Sequence, residues 1–236
     1  MNHEVGDSIV LKSRRWSFSS PHVINSFDFH VENSVPLYHQ GHELVLGYSD
    51  FFLTKDSVCY DLGCATARLS IKIAQRHQDV AVLAVDIEEG MLAQARQRCQ
   101  DLPNIKLQHD DITQMRFAES DLIISYYTMQ FIAPKLRALL LQKIYQALNV
   151  GAAFIMFEKV YEEDSQFQDM ANLIHADRKF QNGYDPDEIF AKANSLKGVL
   201  KPRHCGDNLK TLQKVGFTRT QLIMKYLCFE GYLAIK

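Results

Sequence analysis

Apolar residues gather along this chain in short runs separated by stretches of amphipathic spacing. Residues 57–61, 80–86, 121–125 and 153–157 are short, largely apolar runs, the third rich in β-branched side chains, and with 105–109 they are predicted strands. Between them, residues 66–76, 88–100 and 134–148 repeat their apolar positions at helical spacing. Glu88 and Glu89 begin the second of these, where the helix dipole favours acids, and Pro134 begins the third. Strands alternating with helices of this length predict a doubly wound, mostly parallel α/β sheet.

The pattern changes on both sides of that core. Residues 1–20 read as irregular, with Arg14-Arg15-Trp16-Ser17-Phe18 as an aromatic anchor, and residues 21–52 carry helical spacing interrupted at Pro36. After Glu158, residues 164–179 and 186–196 are predicted to be polar helices broken at Asn182-Gly183-Tyr184. Residues 208–215 form a further predicted helix stopped by Gly216, and 218–224 and 227–235 read as two closing strands. The expected organisation is an N-terminal helical segment over 1–52 and an α/β domain over 53–236. An inserted lid at about 160–205 covers the sheet's carboxyl edge. A terminal antiparallel hairpin on a parallel sheet suits a seven-stranded, Rossmann-like class I methyltransferase fold better than a dehydrogenase.

Composition narrows the function. In 236 residues, 47% apolar and 23% charged, the chain can bury an ordinary core. Its net charge of −2 offers no basic stripe for nucleic acid. No apolar run reaches membrane-span length, and Met1-Asn2-His3-Glu4 does not open a secretory signal, so a cytoplasmic protein is expected. Five scattered cysteines, none in a C-x-x-C pair, read as reduced thiols, and no metal site is expected.

The candidate chemistry sits where strands end. Asp61-Leu62-Gly63-Cys64-Ala65 joins the first strand to a helix, and Gly63 lets a ligand approach the backbone. The other small positions, Ala65 and Ala67, do not freely take positive φ, so the loop is expected to accommodate their Cβ atoms. Asp86 closes the next strand about 25 residues on, where a carboxylate accepts from ribose hydroxyls and repels a phosphorylated ribose; the plainer role is a helix cap. Asp110-Asp111-Ile112 closes the third strand, with an acid for the adenine amine and Ile112 for its ring. Ser125-Tyr126-Tyr127-Thr128-Met129-Gln130-Phe131 follows the fourth strand. There Tyr126 offers an aromatic face to a sulfonium and Gln130 a substrate hydrogen bond. His175 and Asp177, on the lid, are candidate general bases. The chain has no Walker lysine loop and no G-x-S-x-G.

These residues resemble the carboxy-S-adenosyl-L-methionine synthases, class I methyltransferase-fold enzymes of tRNA wobble-uridine modification. The likeness runs from about Trp16 to Lys236. It includes Trp16-Ser17-Phe18, Ser34-Val35-Pro36-Leu37-Tyr38, Val58-Cys59-Tyr60-Asp61-Leu62-Gly63-Cys64 and Thr128-Met129-Gln130-Phe131. Further on it includes Lys143-Ile144-Tyr145-Gln146-Ala147-Leu148-Asn149, Glu158-Lys159, Asn182-Gly183-Tyr184 and Lys214-Val215-Gly216-Phe217. The resemblance implies S-adenosylmethionine (SAM), or its carboxylated derivative, held by Tyr38, Gly63, Cys64, Ala65, Asp86, Ile87, Asp111 and Ile112; Asp61, Met91 and Tyr126 join them as candidate binding residues. It also implies a homodimer, while the charge balance favours a small-molecule substrate over tRNA. Three departures stand out. The loop after Asp-Leu-Gly-Cys is two residues shorter, Tyr126 replaces a ligand-binding asparagine, and Ala193 replaces the arginine that holds the carboxylate of carboxy-SAM. Alanine cannot pair with a carboxylate, which leaves Lys192, Lys197 or Arg203 to substitute. The expectation is therefore a transferase acting at the SAM sulfonium, by methyl transfer to a small metabolite or modification of SAM itself. The alternatives are carboxy-SAM synthesis using prephenate, cyclisation of SAM with release of methylthioadenosine, and non-catalytic SAM binding.

Overall fold

A computed structural model describes residues 16–236; of the expected irregular start over 1–20, residues 1–15, including Arg14 and Arg15, lie outside the described residues, and 16–20 hold no helix or strand. Two helices, α1 (Pro21–Ser34) and α2 (Tyr38–Ser49), precede the alternating core β1 (Val58–Leu62), α3 (Arg68–Arg76), β2 (Ala81–Asp86), α4 (Glu89–Arg98) and β3 (Ile105–His109). There follow β4 (Ser120–Tyr126), a 3₁₀ turn (Met129–Phe131), α5 (Pro134–Ala147) and β5 (Leu148–Tyr161). The lid helices α6 (Ser165–Gln181) and α7 (Pro186–Ser195) lead to β6 (Arg203–His204), α8 (Asp207–Val215), β7 (Arg219–Tyr226) and β8 (Phe229–Ile235). The main sheet runs β3-β2-β1-β4-β5-β8-β7, with β1 to β5 parallel and β8 antiparallel to both neighbours. Each parallel strand therefore delivers its carboxyl end to one edge. Among the described residues no helix is long and apolar enough to cross a membrane.

Alternation along the strands splits the core into two layers. Tyr60, Leu62, Ile123, Phe154 and Met156 pack against α5 and α8 on one face, through Leu140, Leu141, Ile144 and Leu212. Cys59, Val82, Leu122, Ile124 and Phe157 pack against α2 and α3 on the other, through Val45, Leu46, Leu69 and Ile73. Three local expectations change. The helix predicted from residue 66 begins at Arg68, because Ala65 and Ala67 both take positive φ, at 48° and 62°. The alanines thus adopt the left-handed turn that the sequence reading withheld from them. The fifth strand extends beyond 153–157 at both ends: Leu148 pairs with Ser120 of β4, Glu158 and Lys159 pair with Glu230 and Phe229 of β8, and Val160 and Tyr161 lie beside Arg203 and His204. That two-residue strand, an eighth, is too short to leave an alternation signal.

The roof over the carboxyl edge is tied down by polar contacts. Thr66 Oγ1 donates to Asp28 of α1 at 2.6 Å, Arg68 pairs with Glu32, and Arg98 pairs with Asp28 at 2.6 Å. The lid joins α1 through Asn182 Nδ2, which donates to the Asn33 carbonyl at 2.9 Å. Helix α7 begins with a reciprocal capping box between Asp185 and Glu188, which fixes its start.

Candidate active site

Between the strand ends, α1 and the lid lies a cavity of about 310 Å³. Its floor begins at the turn after β1. Gly63 takes φ 76°, and a Cβ there would lie 2.3 Å from Thr128 Oγ1, so only glycine fits. Asp61 accepts from Ser70 Oγ at 2.6 Å. Burial raises its pKa to about 6, and the Asp86 charge adds to the rise. Asp86 Oδ2 accepts from the Ala65 N–H at 2.7 Å and Oδ1 from the Glu88 N–H at 2.9 Å. Burial raises its pKa, opposed by those N–H groups. Bonding to the residue two ahead, Asp86 closes an Asx turn before α4 and does not cap the helix, whose N-cap is Glu88. Each oxygen keeps acceptor capacity for a ligand hydroxyl, because a carboxylate offers about four lone-pair sites.

The remaining expected binding residues meet at the same cavity: Tyr38, Cys64, Ala65, Ile87, Met91, Asp111, Ile112 and Tyr126 all line it. Ile87 is exposed at the rim, whereas Met91 and Ile112 are buried. Asp111 Oδ1 already accepts from both the N–H and the hydroxyl of Thr113 at 2.8 Å. Tyr126 Oη donates to the Tyr38 carbonyl at 2.7 Å, and its ring stands edge-on to Tyr38 and His42. Burial pushes its pKa upward, so it remains a phenol.

Two expected catalytic residues carry scaffold contacts. Gln130 Oε1 accepts from the Lys159 N–H at 2.8 Å, and its own N–H donates to Glu158 Oε1 at 3.1 Å. Its side-chain NH₂ is the group left to meet a substrate. His175 Nε2 donates to the Ser34 carbonyl at 2.9 Å. Burial lowers its pKa to about 3, and Lys179 and Lys159 push the same way, so the ring is neutral and a weak base. Both residues line the cavity, while Asp177 is exposed and does not. The three candidate substitutes for the arginine separate as well. Lys192 lines the cavity, its Nζ 2.7 Å from the Trp16 ring centroid, whereas Lys197 and Arg203 lie outside it. Ala193 is exposed.

Sequence reasoning did not single out Lys159, Lys179, His42 or Gly41. The first three line the cavity; Gly41 serves it, because a Cβ there would lie 2.2 Å from Tyr126 Oη. These residues come from separate elements with no common motif, and only Lys159 belongs to a stretch that carries the family resemblance. The site also holds unused polar atoms. Trp16 Nε1, His42 Nε2 and Tyr127 Oη are buried without hydrogen-bond partners among the described residues, and all three side chains line the cavity. Unmet polar groups beside an open space, with acids at the ends of β1 to β3, fit a polar nucleoside ligand.

Comparison with known proteins agrees with this geometry. A family model described as a methyltransferase domain matches residues 59–151. The carboxy-S-adenosyl-L-methionine synthase of Staphylococcus epidermidis is 33% identical over 226 residues, covering 94% of this chain and 97% of the relative. The enzyme of that name from Sulfurimonas denitrificans is 32% identical over 235 residues, covering 98% and 100%. Among solved structures, human N-acetylserotonin methyltransferase in complex with SAM superposes with a TM-score of 0.60 at 16% identity, over 97% of this chain and 65% of that one.

Proposed function

The chain belongs to the carboxy-S-adenosyl-L-methionine synthase family, and from that premise we propose that it makes carboxy-SAM from SAM and a carboxylic acid that supplies the carboxylate. It is a SAM-dependent transferase of methyltransferase fold. The observation that carries the reading is the convergence of Asp61, Asp86 and Asp111 with the Gly63 turn in one roofed cavity. In this reading Asp86 accepts from the ribose hydroxyls, Asp111 from the adenine amine, and Ile87, Met91 and Ile112 enclose the adenine. When bound, SAM supplies a methyl carbon activated by positively charged sulfur. The aromatic group of Tyr38, His42 and Tyr126, with Tyr126 edge-on to the other two, provides faces for that charge. Helices α6 and α7 exclude water, and His175, bonded to the end of α1, holds the lid in register.

The relatives' shared name weighs toward carboxy-SAM synthesis and away from methyl transfer to a metabolite. One observation keeps the second reading, altered chemistry at the sulfonium, in play: exposed Ala193 stands where the family resemblance expects a cavity arginine. The test is mass spectrometry of the pure protein incubated with SAM alone and with SAM plus prephenate. A SAM species heavier by a carboxylate, formed only with prephenate, supports the proposal. Methylthioadenosine from SAM alone supports the second reading.

A homodimer belongs to the same proposal. Phe167, Met170, Leu173, Ile174 and Phe180 of α6 and Phe190 of α7 are exposed, an apolar face suited to a second copy of the chain. Light scattering of the purified protein at about twice the monomer mass supports it, and a monomer overturns it.

A further inference from the structure

The walls of the cavity differ in charge. Asp61, Asp86, Asp110 and Asp111 lie at or beside the carboxyl ends of β1, β2 and β3. In the sheet order β3-β2-β1-β4-β5 the far side belongs to β5, and the cavity residues there carry the opposite sign. Lys159 leaves β5 immediately after Glu158, with Nζ 5.9 Å from the Phe229 ring centroid. Lys179 descends from the lid one helical turn beyond His175. Both line the cavity, alongside His175 and Phe229. The two lysines are close enough that each lowers the pKa of His175 and of Cys228, and Lys159 lowers that of Lys179.

Among the described residues neither lysine forms an ion pair with a carboxylate, although half-buried Lys72 and exposed Arg76 do so with Glu43 and Asp50. Burial, aided by the Lys159 charge, brings Lys179 down to about 8. Two half-buried ammonium groups converging on an apolar wall repel each other and lose hydration. An anion between them offsets both costs.

We propose that Lys159 and Lys179 form a carboxylate-binding subsite at the β5 end of the cavity, which holds the carboxylic acid co-substrate while the nucleoside lies over the acids of β1 to β3. The inference rests on the carboxy-SAM reading and names the residues that receive the second reactant. A cation pair reaching in from β5 and the lid does the work that exposed Ala193 cannot. Because Lys179 rides on α6, binding the acid also draws the lid onto the sheet.

The subsite is tested with Lys159→Met, Lys179→Met and Lys179→Arg, each of similar length to the lysine it replaces. Calorimetry measures malonate, a small dicarboxylate, binding to the SAM-loaded protein, and SAM binding is measured separately. The expected result is malonate binding by the wild type, weakened about tenfold or more by each Met variant and largely restored by Lys179→Arg, with SAM affinity changed less than about threefold. Steady-state assays with prephenate are expected to show the KM for the acid rising by a similar factor with kcat less affected. Equal malonate binding by wild type and Met variants of unchanged melting temperature overturns the subsite. So does a selective loss of SAM affinity, which would assign the lysines to SAM's own carboxylate. Wild-type malonate binding that is lost in the variants, with no carboxylated SAM formed from any acid, keeps the subsite and overturns the reaction assigned to it.

Discussion

Asp86 Oδ2 accepts a 2.7 Å hydrogen bond from the Ala65 N–H, so the end of β2 holds the turn that follows β1. Its other oxygen holds the start of α4 through Glu88. One buried carboxylate therefore shapes two backbone segments and faces the cavity at the place assigned to the ribose. Asp86→Ala is expected to leave both N–H groups unmet, costing about 1–3 kcal/mol of stability and lowering SAM affinity by at least about tenfold. Asp86→Asn retains one oxygen acceptor and is expected to fall between. Thermal melts and calorimetry read the two effects separately; SAM affinity unchanged in Asp86→Ala removes the ribose assignment.

The short loop after Gly63 carries strain that a substitution can release. Ala65, at φ 48°, is half-buried, so glycine removes the left-handed penalty of about 1–2 kcal/mol with little loss of packing. Glycine's larger unfolded-state entropy returns about 0.4–1 kcal/mol of that. Ala65→Gly is expected to raise the melting temperature by a few degrees, roughly 2–4 °C per kcal/mol for a chain of this size. Ala65→Val, β-branched at positive φ, is expected to lower it. A glycine variant that melts below the wild type refutes the strain argument.

The parallel core was legible because its inner strands β1, β2, β4 and β5 are largely buried and read as short apolar runs, whereas the edge strand β3 (Ile105–His109) carries polar residues between its apolar ones. The acids Asp61, Asp86 and Asp111 were legible for the same reason: a parallel sheet sends every strand's carboxyl end to one edge, so residues that close successive strands must meet. What stayed hidden depends on tertiary approach. Nothing near Lys179 in sequence indicates Lys159, which reaches it from β5 across the lid insertion. The positive φ of Ala65 and Ala67 was hidden because propensity disfavours it, and the Asp86 contact overrides propensity at the first of them. His175 illustrates the reverse limit, since a histidine on a polar helix gives no sign in sequence of burial against Phe229.

The contact between Tyr126 Oη and the Tyr38 carbonyl joins the end of β4 to the first turn of α2, where Leu37 takes φ 55°. Tyr126→Phe removes that bond and keeps the aromatic face. The expected outcome is a stability loss of about 1 kcal/mol and a modest rise in the KM for SAM. The kcat is expected to hold, because the phenol, whose pKa burial raises, transfers no proton. A large fall in kcat with KM unchanged would instead make the hydroxyl a participant in the reaction.

Buried titrating groups set opposite limits on stability. Burial lifts the Glu158 carboxyl from 4.5 to about 8, against the pull of Arg137 and the N–H groups of Gln130 and Met129. Between those values the folded state keeps a proton that the unfolded chain releases, so stability falls as pH rises toward 8. Asp61, raised to about 6, acts in the same direction over a lower interval. His42 and His175, both lowered by burial from 6.5 to about 3, act oppositely: the unfolded chain binds protons that the folded state refuses, so stability falls as pH drops below 6.5. The limiting slope for each group is about 1.4 kcal/mol per pH unit. From about 4.5 to 6 the two histidines offset the two carboxyls, from 6 to 6.5 they outweigh Glu158, and above 6.5 Glu158 acts alone, so maximum stability is expected near pH 6.5. Glu158→Gln keeps an oxygen to accept from the Gln130 N–H and removes the titration. Melting temperatures from pH 4 to pH 9 are expected to show the variant gaining on the wild type between about 4.5 and 8 and running parallel to it outside that interval, where only the other groups titrate. Parallel curves across that range would mean that Glu158 is already ionised in the folded protein, held there by Arg137.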